Sequence, residues 1–301
     1  MPGIPAKFII SGIKRGKKPS LHYIPRDYAQ ARESLNRQNS ILPVPRRMEK
    51  QRDALNGVPV FWFRDRDAQS KKVVLYIHGG GFNSGSAEYA HVLPVKIGSR
   101  AEYAVVSAEY RLAPENPFPA GLEDCIAVYR GLLDRGYQGR DIALLGDSAG
   151  GNLVFAAALW LRDHDLPLPA ALCGVSPVGT LDDAPPSRRE RVERDAIMGA
   201  DFTEEMTATY LNGHSAAEPY LSPAYGDFHG LPPIWMCVGT EEVFYDDARM
   251  LQEAAQKAGI PARLLVGEGM CHVYINIPDK ESTRAIKDLR QFLAQQLEDK
   301  A

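Results

Sequence analysis

One serine, one histidine and a cluster of carboxylates in this chain have the types and spacing for nucleophilic catalysis. Gly146-Asp147-Ser148-Ala149-Gly150 follows the apolar run Ile142–Leu145 and precedes the apolar stretch Leu153–Leu161. A Gly-x-Ser-x-Gly string between a strand and a helix is the pattern of a nucleophile elbow, a turn too tight for flanking side chains, with the serine hydroxyl at its tip. The helix that starts just after it directs backbone N–H groups and its positive end at the reacting centre. The bland alternative is a βα turn filled with small residues. The strand and helix on either side favour Ser148 as a nucleophile.

A serine hydroxyl attacks only after a base takes its proton, and an acid must hold that base in one tautomer. Of the seven histidines, His272 alone follows both the elbow and a candidate acid. It stands just past the apolar run Arg263–Val266, where catalytic groups gather outside strand C-termini. His22, His91, His164, His214 and His229 read as ordinary surface or core residues. The loop after Val238, from Gly239 to Asp247, offers four carboxylates: Glu241, Glu242, Asp246 and Asp247. The two aspartates stand where a helix begins and read as its capping residues. Glu241 and Glu242 lie nearer the strand end, and spacing alone does not separate them. Negative charge on a substrate oxygen needs backbone donors. Ala149 offers one, and His78-Gly79-Gly80-Gly81-Phe82 offers bare backbone for others; losing one such donor costs roughly 10²–10³ in turnover. As a phosphate loop the glycine run lacks both the Gly-Lys-Ser/Thr ending and the Gly-x-Gly-x-x-Gly spacing.

The elements that position these residues alternate along the chain. Strands are predicted at Val58–Phe63, Val73–Ile77, Ala104–Ala108, Ile142–Leu145, Ala171–Val175, Ile234–Val238 and Arg263–Val266. Helices are expected near 87–99, 121–135, 246–257 and 280–297. Strands alternating with helices imply an α/β fold with a mostly parallel sheet covered on both faces. Residues 1–55 are polar, helix-compatible and broken by prolines, too poor in apolar residues to form their own core. Residues 182–220 are charged and helical in pattern, and read as an insertion between two strands.

Composition excludes several classes. A chain of 301 residues with 45% hydrophobic and 24% charged content is ordinary for a soluble globular protein. Its net charge of −3 gives no reason to expect nucleic acid or an anionic membrane. The basic residues Lys7, Lys14, Arg15, Lys17 and Lys18 read as a solvated face. Phe8-Ile9-Ile10 is short for a signal-peptide core, and no stretch is long enough to span a membrane. Cys125, Cys173, Cys237 and Cys271 form no Cys-x-x-Cys pair, which points to free thiols in a reducing cytoplasm and to no structural metal.

The chain resembles the hormone-sensitive-lipase family of α/β-hydrolases, the bacterial esterases of its GDSAG subgroup. The resemblance runs from about Trp62 to the C-terminus. It rests on His78-Gly79-Gly80-Gly81, on Tyr110-Arg111-Leu112-Ala113-Pro114-Glu115 continuing to Pro117-Phe118-Pro119-Ala120, and on Gly146 to Asn152. Leu221-Ser222-Pro223 with Leu231-Pro232-Pro233 resembles the family's return from cap to core. The resemblance implies an α/β-hydrolase fold with a mostly parallel central sheet flanked by helices and a helical cap. Its parts would be an N-terminal cap segment at 1–55, a catalytic domain at 56–181 and 221–301, and a cap insertion at 182–220. Gly80, Gly81 and Ala149 are implied as the oxyanion hole, with His78 bracing the loop. The family's acid falls on Glu242, a glutamate where an aspartate is usual, with Glu241 and Asp246 as the other candidates. Phe202, Met206 and Tyr210 are candidates for the pocket lining, against a plain core role. The expectation is a serine carboxylesterase for small, short-chain esters, with Ser148, Glu242 and His272 catalytic and neither cofactor nor metal. Its expected partner is a small ester, without nucleic acid or membrane, and a homodimer is allowed for. A lactone or amide hydrolase would use the same triad. The other alternative is a non-catalytic binding member of the fold; the gibberellin receptors resemble the family and have lost the catalytic histidine, and the Ser148 and His272 kept here argue against that reading, although an intact triad can be idle.

Overall fold

The computed structural model describes residues 27–39 and 43–298. The basic run from Lys7 to Lys18, Phe8-Ile9-Ile10, His22 and the first 26 residues of the expected N-terminal cap segment lie outside them. After α1 (Tyr28–Asn39), strands β1 (Met48–Leu55), β2 (Val58–Asp65), β3 (Val73–Ile77) and β4 (Ala104–Ala108) are followed by β5 (Ile142–Asp147), β6 (Ala171–Val175), β7 (Ile234–Gly239) and β8 (Ala262–Gly267). They form one 8-stranded sheet in the order β1-β2-β4-β3-β5-β6-β7-β8. Only β2 runs antiparallel to its neighbours; from β4 to β8 all pairings are parallel.

Side-chain alternation divides the core into two layers. Leu75, Val106, Leu144 and Met236 face α3 (Ala120–Asp134), α4 (Ala149–Asp163) and α7 (Tyr245–Lys257). Val74, Val105, Leu145 and Trp235 face α2 (Val92–Gly98) and α8 (Lys280–Leu297). The inner strands are therefore buried on both sides, which is why β3, β4, β5, β6 and β7 read as continuous apolar runs. In α8 the buried residues Ala285, Leu289, Phe292, Leu293 and Leu297 follow helical spacing and form one stripe. Helix α4 differs: every residue from Ala149 to Leu159 is buried, so the helix behind the elbow is enclosed on all sides.

The sheet begins earlier than expected. Met48–Leu55, assigned from sequence to the N-terminal cap segment 1–55, is an edge strand pairing with β2 from Met48↔Asp65 to Leu55↔Val58. Its polar sequence suits an edge, where charges discourage pairing with foreign strands. The hairpin turn is Asn56-Gly57, with φ of 44° and 85°. Asn-Gly is the dipeptide that favours this left-handed turn, and it was the available signal. Between β6 and β7 lie the short helix α5 (Ser187–Glu190) and α6 (Ala200–Tyr210). No helix among the described residues is long and apolar enough to cross a membrane.

Candidate active site

The parallel register brings the C-terminal ends of the strands to one edge. Ile77 pairs with Gly146, Asp147 with Val175 and Gly239 with Gly267, so the loops after β3, β5, β6, β7 and β8 meet there. Ser148 caps the start of α4 with φ 54° and ψ −124°, a strained conformation for a residue with a side chain. Glycine is required around it: a Cβ at Gly146 would lie 2.3 Å from Gly150 O, and one at Gly150 would lie 2.1 Å from Ile77 O. Ser148 N donates to Val175 O (2.9 Å) and its carbonyl accepts from Val178 N (3.2 Å), tying the elbow to the turn after β6.

That turn carries Ser176, a residue without a sequence signal. Its hydroxyl accepts from Val273 N (3.0 Å) and donates to Glu242 Oε1 (2.8 Å). Gly239 N donates to the same oxygen at 2.5 Å. The other oxygen, Oε2, lies 2.7 Å from His272 Nδ1. Ionised Glu242 can only accept, so Nδ1 carries the hydrogen and Nε2 is left as the basic nitrogen. Glu242 is fully buried and His272 is 3% exposed. Nε2 is also buried and has no hydrogen-bond partner among the described residues, so the Ser148 hydroxyl stands outside bonding geometry to it. Desolvation pulls the imidazole's pKa down, but the hydrogen bond and charge of Glu242, with the charges of Asp195 and Asp147, outweigh it and leave it raised.

The other three carboxylates of the acid loop turn elsewhere. Glu241 pairs with Arg194 at 2.6 Å, and Asp246 Oδ2 accepts from Ser187 N at 2.9 Å. Buried Asp247 accepts from Gly179 N (2.9 Å) and Thr180 N (3.1 Å) and pairs with Arg188 (2.6 Å). The capping role expected of both aspartates is therefore corrected: α7 is capped at Phe244 with no side-chain bond. Tertiary partners compete for these oxygens more strongly than the helix end does.

The glycine loop is shaped by its own turn. Gly80 and Gly81 have φ of 125° and 58°, and Gly80 O accepts from Asn83 N (3.1 Å) and Ser84 N (2.9 Å). The amides of Gly80, Gly81 and Ala149 donate to no backbone acceptor among the described residues. His78 is fully buried and stacks on Tyr110, ring centroids 4.4 Å apart. Tyr110 OH donates to His78 O (2.9 Å) and Ala113 N to Phe82 O (2.9 Å), so the Tyr110–Ala113 stretch fixes the loop from behind. Asp147 accepts from Tyr76 OH and from Gly79 N (3.2 Å). Burial pushes the Asp147 carboxyl's pKa up against the pull of these donors. Asn152 is fully buried, and its Nδ2 donates to Val178 O (3.1 Å) and Leu221 O (2.9 Å).

Helices α1 and α6 approach the same loop. Arg32 Nε donates to Asn83 O at 2.7 Å, and Tyr28 OH donates to Glu205 at 2.7 Å. A Cβ at Gly81 would lie 2.9 Å from Phe202 Cζ, so that ring lies against the glycine backbone. Met206 and Tyr210 are buried in the core, Tyr210 stacked on Phe82 at 3.9 Å between centroids. No group of three or more His, Cys, Asp or Glu among the described residues is arranged to hold a metal ion.

Known proteins are similar to this chain in sequence and fold. Residues 74–276 match a family described by its alpha/beta hydrolase fold. The chain is 41% identical over 206 residues to an acetyl-hydrolase of Streptomyces hygroscopicus, covering 68% of this chain and 69% of that protein. An esterase of Acinetobacter venetianus is 30% identical over 228 residues, 75% of each chain. A crystal structure described as an esterase from the bacterial hormone-sensitive lipase family superposes with a TM-score of 0.90 at 36% identity, covering 99% of this chain and all (100%) of that one. The chain is a hydrolase of the α/β-hydrolase fold and belongs to the hormone-sensitive-lipase family.

Proposed function

We propose that the protein is a serine carboxylesterase that hydrolyses small, short-chain esters through an acyl-enzyme. The observation that carries this reading is the buried Glu242–His272 pair, 2.7 Å apart, whose outer nitrogen has no partner at the edge where the strained Ser148 stands. Ser148 Oγ attacks the ester carbonyl while His272 Nε2 takes its proton. Glu242 holds the ring in the required tautomer and balances the imidazolium charge, and itself stays ionised. The carbonyl oxygen becomes an oxyanion held by the amides of Gly80, Gly81 and Ala149. Collapse expels the alkoxide, which takes the proton from His272. Water, deprotonated by the same nitrogen, then releases the acyl group as acid and frees the serine.

Residues 27–39 and 182–220 act as a cap over this site on our reading, supported by Arg32 at Asn83 and Phe202 at Gly81. A ring that close to the glycine backbone favours short acyl groups, in keeping with the acetyl-hydrolase name of one relative. All four cysteines are buried and none is in a disulfide, which supports assignment to a reducing cytoplasm. The partner on this reading is a small ester, with a homodimer allowed for, and without cofactor, nucleic acid or membrane.

The test is turnover of p-nitrophenyl esters from acetate to octanoate, with matched lactones and anilides. Short esters should be cleaved fastest, Ser148→Ala should abolish cleavage, and a fluorophosphonate should label Ser148. A pure wild type that cleaves no ester and takes no label would make the protein a binding member of its family.

A further inference from the structure

The charged stretch that begins at Arg188 reads from sequence as part of a charged helical insertion, and in the fold Ser187 and Arg188 are buried. It runs along the loop that carries Glu242 and grips it repeatedly. Ser187 Oγ donates to Val243 O (2.7 Å) and accepts from Asp246 N (3.0 Å). Arg191 donates to Thr240 O. Arg194 pairs with Glu241 at 2.6 Å. Asp195, 4% exposed, accepts from Val243 N at 3.0 Å through Oδ2. Its Oδ1 accepts from Ile197 N (2.8 Å) and Met198 N (3.0 Å), which fixes the carboxylate within its own segment. Contacts from the insertion thus reach both sides of Glu242, while Glu242 itself faces Ser176, Gly239 and His272.

We propose that residues 187–195 are the positioning element for the catalytic acid, with Asp195 at its centre. By holding Val243 N, Asp195 fixes the backbone next to Glu242 and so the angle at which that carboxylate meets His272. Asp195 touches neither substrate nor reacting atoms on this account; it acts through Glu242. The inference rests on the catalytic reading of Ser148, Glu242 and His272. It extends that reading by making the insertion a part of the triad's support as well as a cover.

The negative groups acting on His272 are Glu242 from the acid loop, Asp195 from the insertion and Asp147 from the elbow. On the insertion, Arg191 and Arg194 are engaged with Thr240 and Glu241. Removing the Asp195 charge therefore destabilises the imidazolium and moves the acid limb of kcat/KM to lower pH. A merely structural role would lower the melting temperature and leave that limb in place.

The experiment measures kcat, KM, pH profile and melting temperature for Asp195→Ala and Asp195→Asn in the full chain, with p-nitrophenyl acetate. Asp195→Ala should lose about 10- to 100-fold in kcat with little change in KM, the scale expected when a catalytic group is displaced by about an ångström. Asp195→Asn should lose less and carry the shifted limb. Arg284→Gln, whose exposed guanidinium pairs with Glu281 on α8 (3.2 Å) away from the acid loop and the insertion, should behave as wild type. Folded Asp195 variants with wild-type kcat and limb overturn the proposal. If Asp195→Ala does not fold, Ser187→Ala is judged by kcat in its place, and an unchanged kcat there overturns it equally. A wild type that neither turns over esters nor labels at Ser148 defeats the functional reading instead.

Discussion

Replacing Glu242 by glutamine tests the relay at its least forgiving point. Ser176 Oγ accepts from Val273 N, so its hydrogen points at Glu242 Oε1, where Gly239 N also donates. Two donors converge on that position, and the glutamine carbonyl must occupy it. The amide NH₂ then faces His272 Nδ1, 2.7 Å away in the wild type. A donor there forces Nδ1 to accept, which moves the ring hydrogen to Nε2, the nitrogen that must receive the serine proton. Shape and packing are preserved while the base is held in the wrong tautomer. Such a reversal costs about 10³–10⁴ in kcat, or about 4–5.5 kcal/mol of barrier at 1.36 kcal/mol per decade. Steady-state kcat with p-nitrophenyl acetate reads it directly, beside a thermal melt to establish folding. Glu242→Asp, which shortens the reach by one methylene, should lose far less. A folded Glu242→Gln enzyme within tenfold of wild type would refute the assignment of this carboxylate.

Four further outcomes are expected. The raised pKa of His272 means that kcat/KM falls as pH drops through a midpoint above the ordinary histidine value of about 6.5, because the protonated ring has no lone pair for Ser148; a limb at or below that value contradicts the burial and pairing described. Gly150→Ala should fold poorly, since its Cβ would meet Ile77 O at 2.1 Å and His78 O at 2.5 Å. Gly57→Ala has open space and only its φ of 85° to oppose it, so it should cost about 1–2 kcal/mol and leave turnover intact in the same melts and assays. The Arg47 guanidinium beside buried Asp65 (2.6 Å), with Arg100 N, holds that carboxyl well below the usual aspartate range. Asp65→Asn should therefore cost about 1–3 kcal/mol at neutral pH. The difference from wild type should shrink as pH falls below about 3.9 toward the depressed folded value, because stability from a lowered carboxylate pKa is present above the unfolded value and lost beneath it.

The parts of the molecule legible in the sequence are those set by local pattern. The doubly buried strands are continuous apolar runs, the elbow is a tight glycine-flanked turn, and His272 follows the last strand. Strand β1 was hidden because an edge strand needs no apolar face, and only Asn56-Gly57 marked it. The choice among four carboxylates had no local answer, since Arg194, Ser187 and Arg188 draw three of them away. Family resemblance selected Glu242 where spacing did not separate it from Glu241. Ser176 and Asn152 illustrate the remainder. Their partners are 66 and 69 residues away at Glu242 and Leu221, so their roles exist only once the chain is folded.

Helix α4 is buried from Ala149 to Leu159 and its first turn is wedged against the end of β3, which couples the position of the Ser148 hydroxyl to that of the glycine loop. Glu242 is held from two sides: its carboxylate by Gly239 at the end of β7 and by Ser176, and the residues on either side of it by the insertion. Grafting a foreign lid onto this scaffold to change its substrate range would leave Gly239 and Ser176 on the Glu242 carboxylate but strip the flanking loop of Ser187, Arg194 and Asp195. A successful chimera must carry residues 187–195 and 240–247 together as a matched pair.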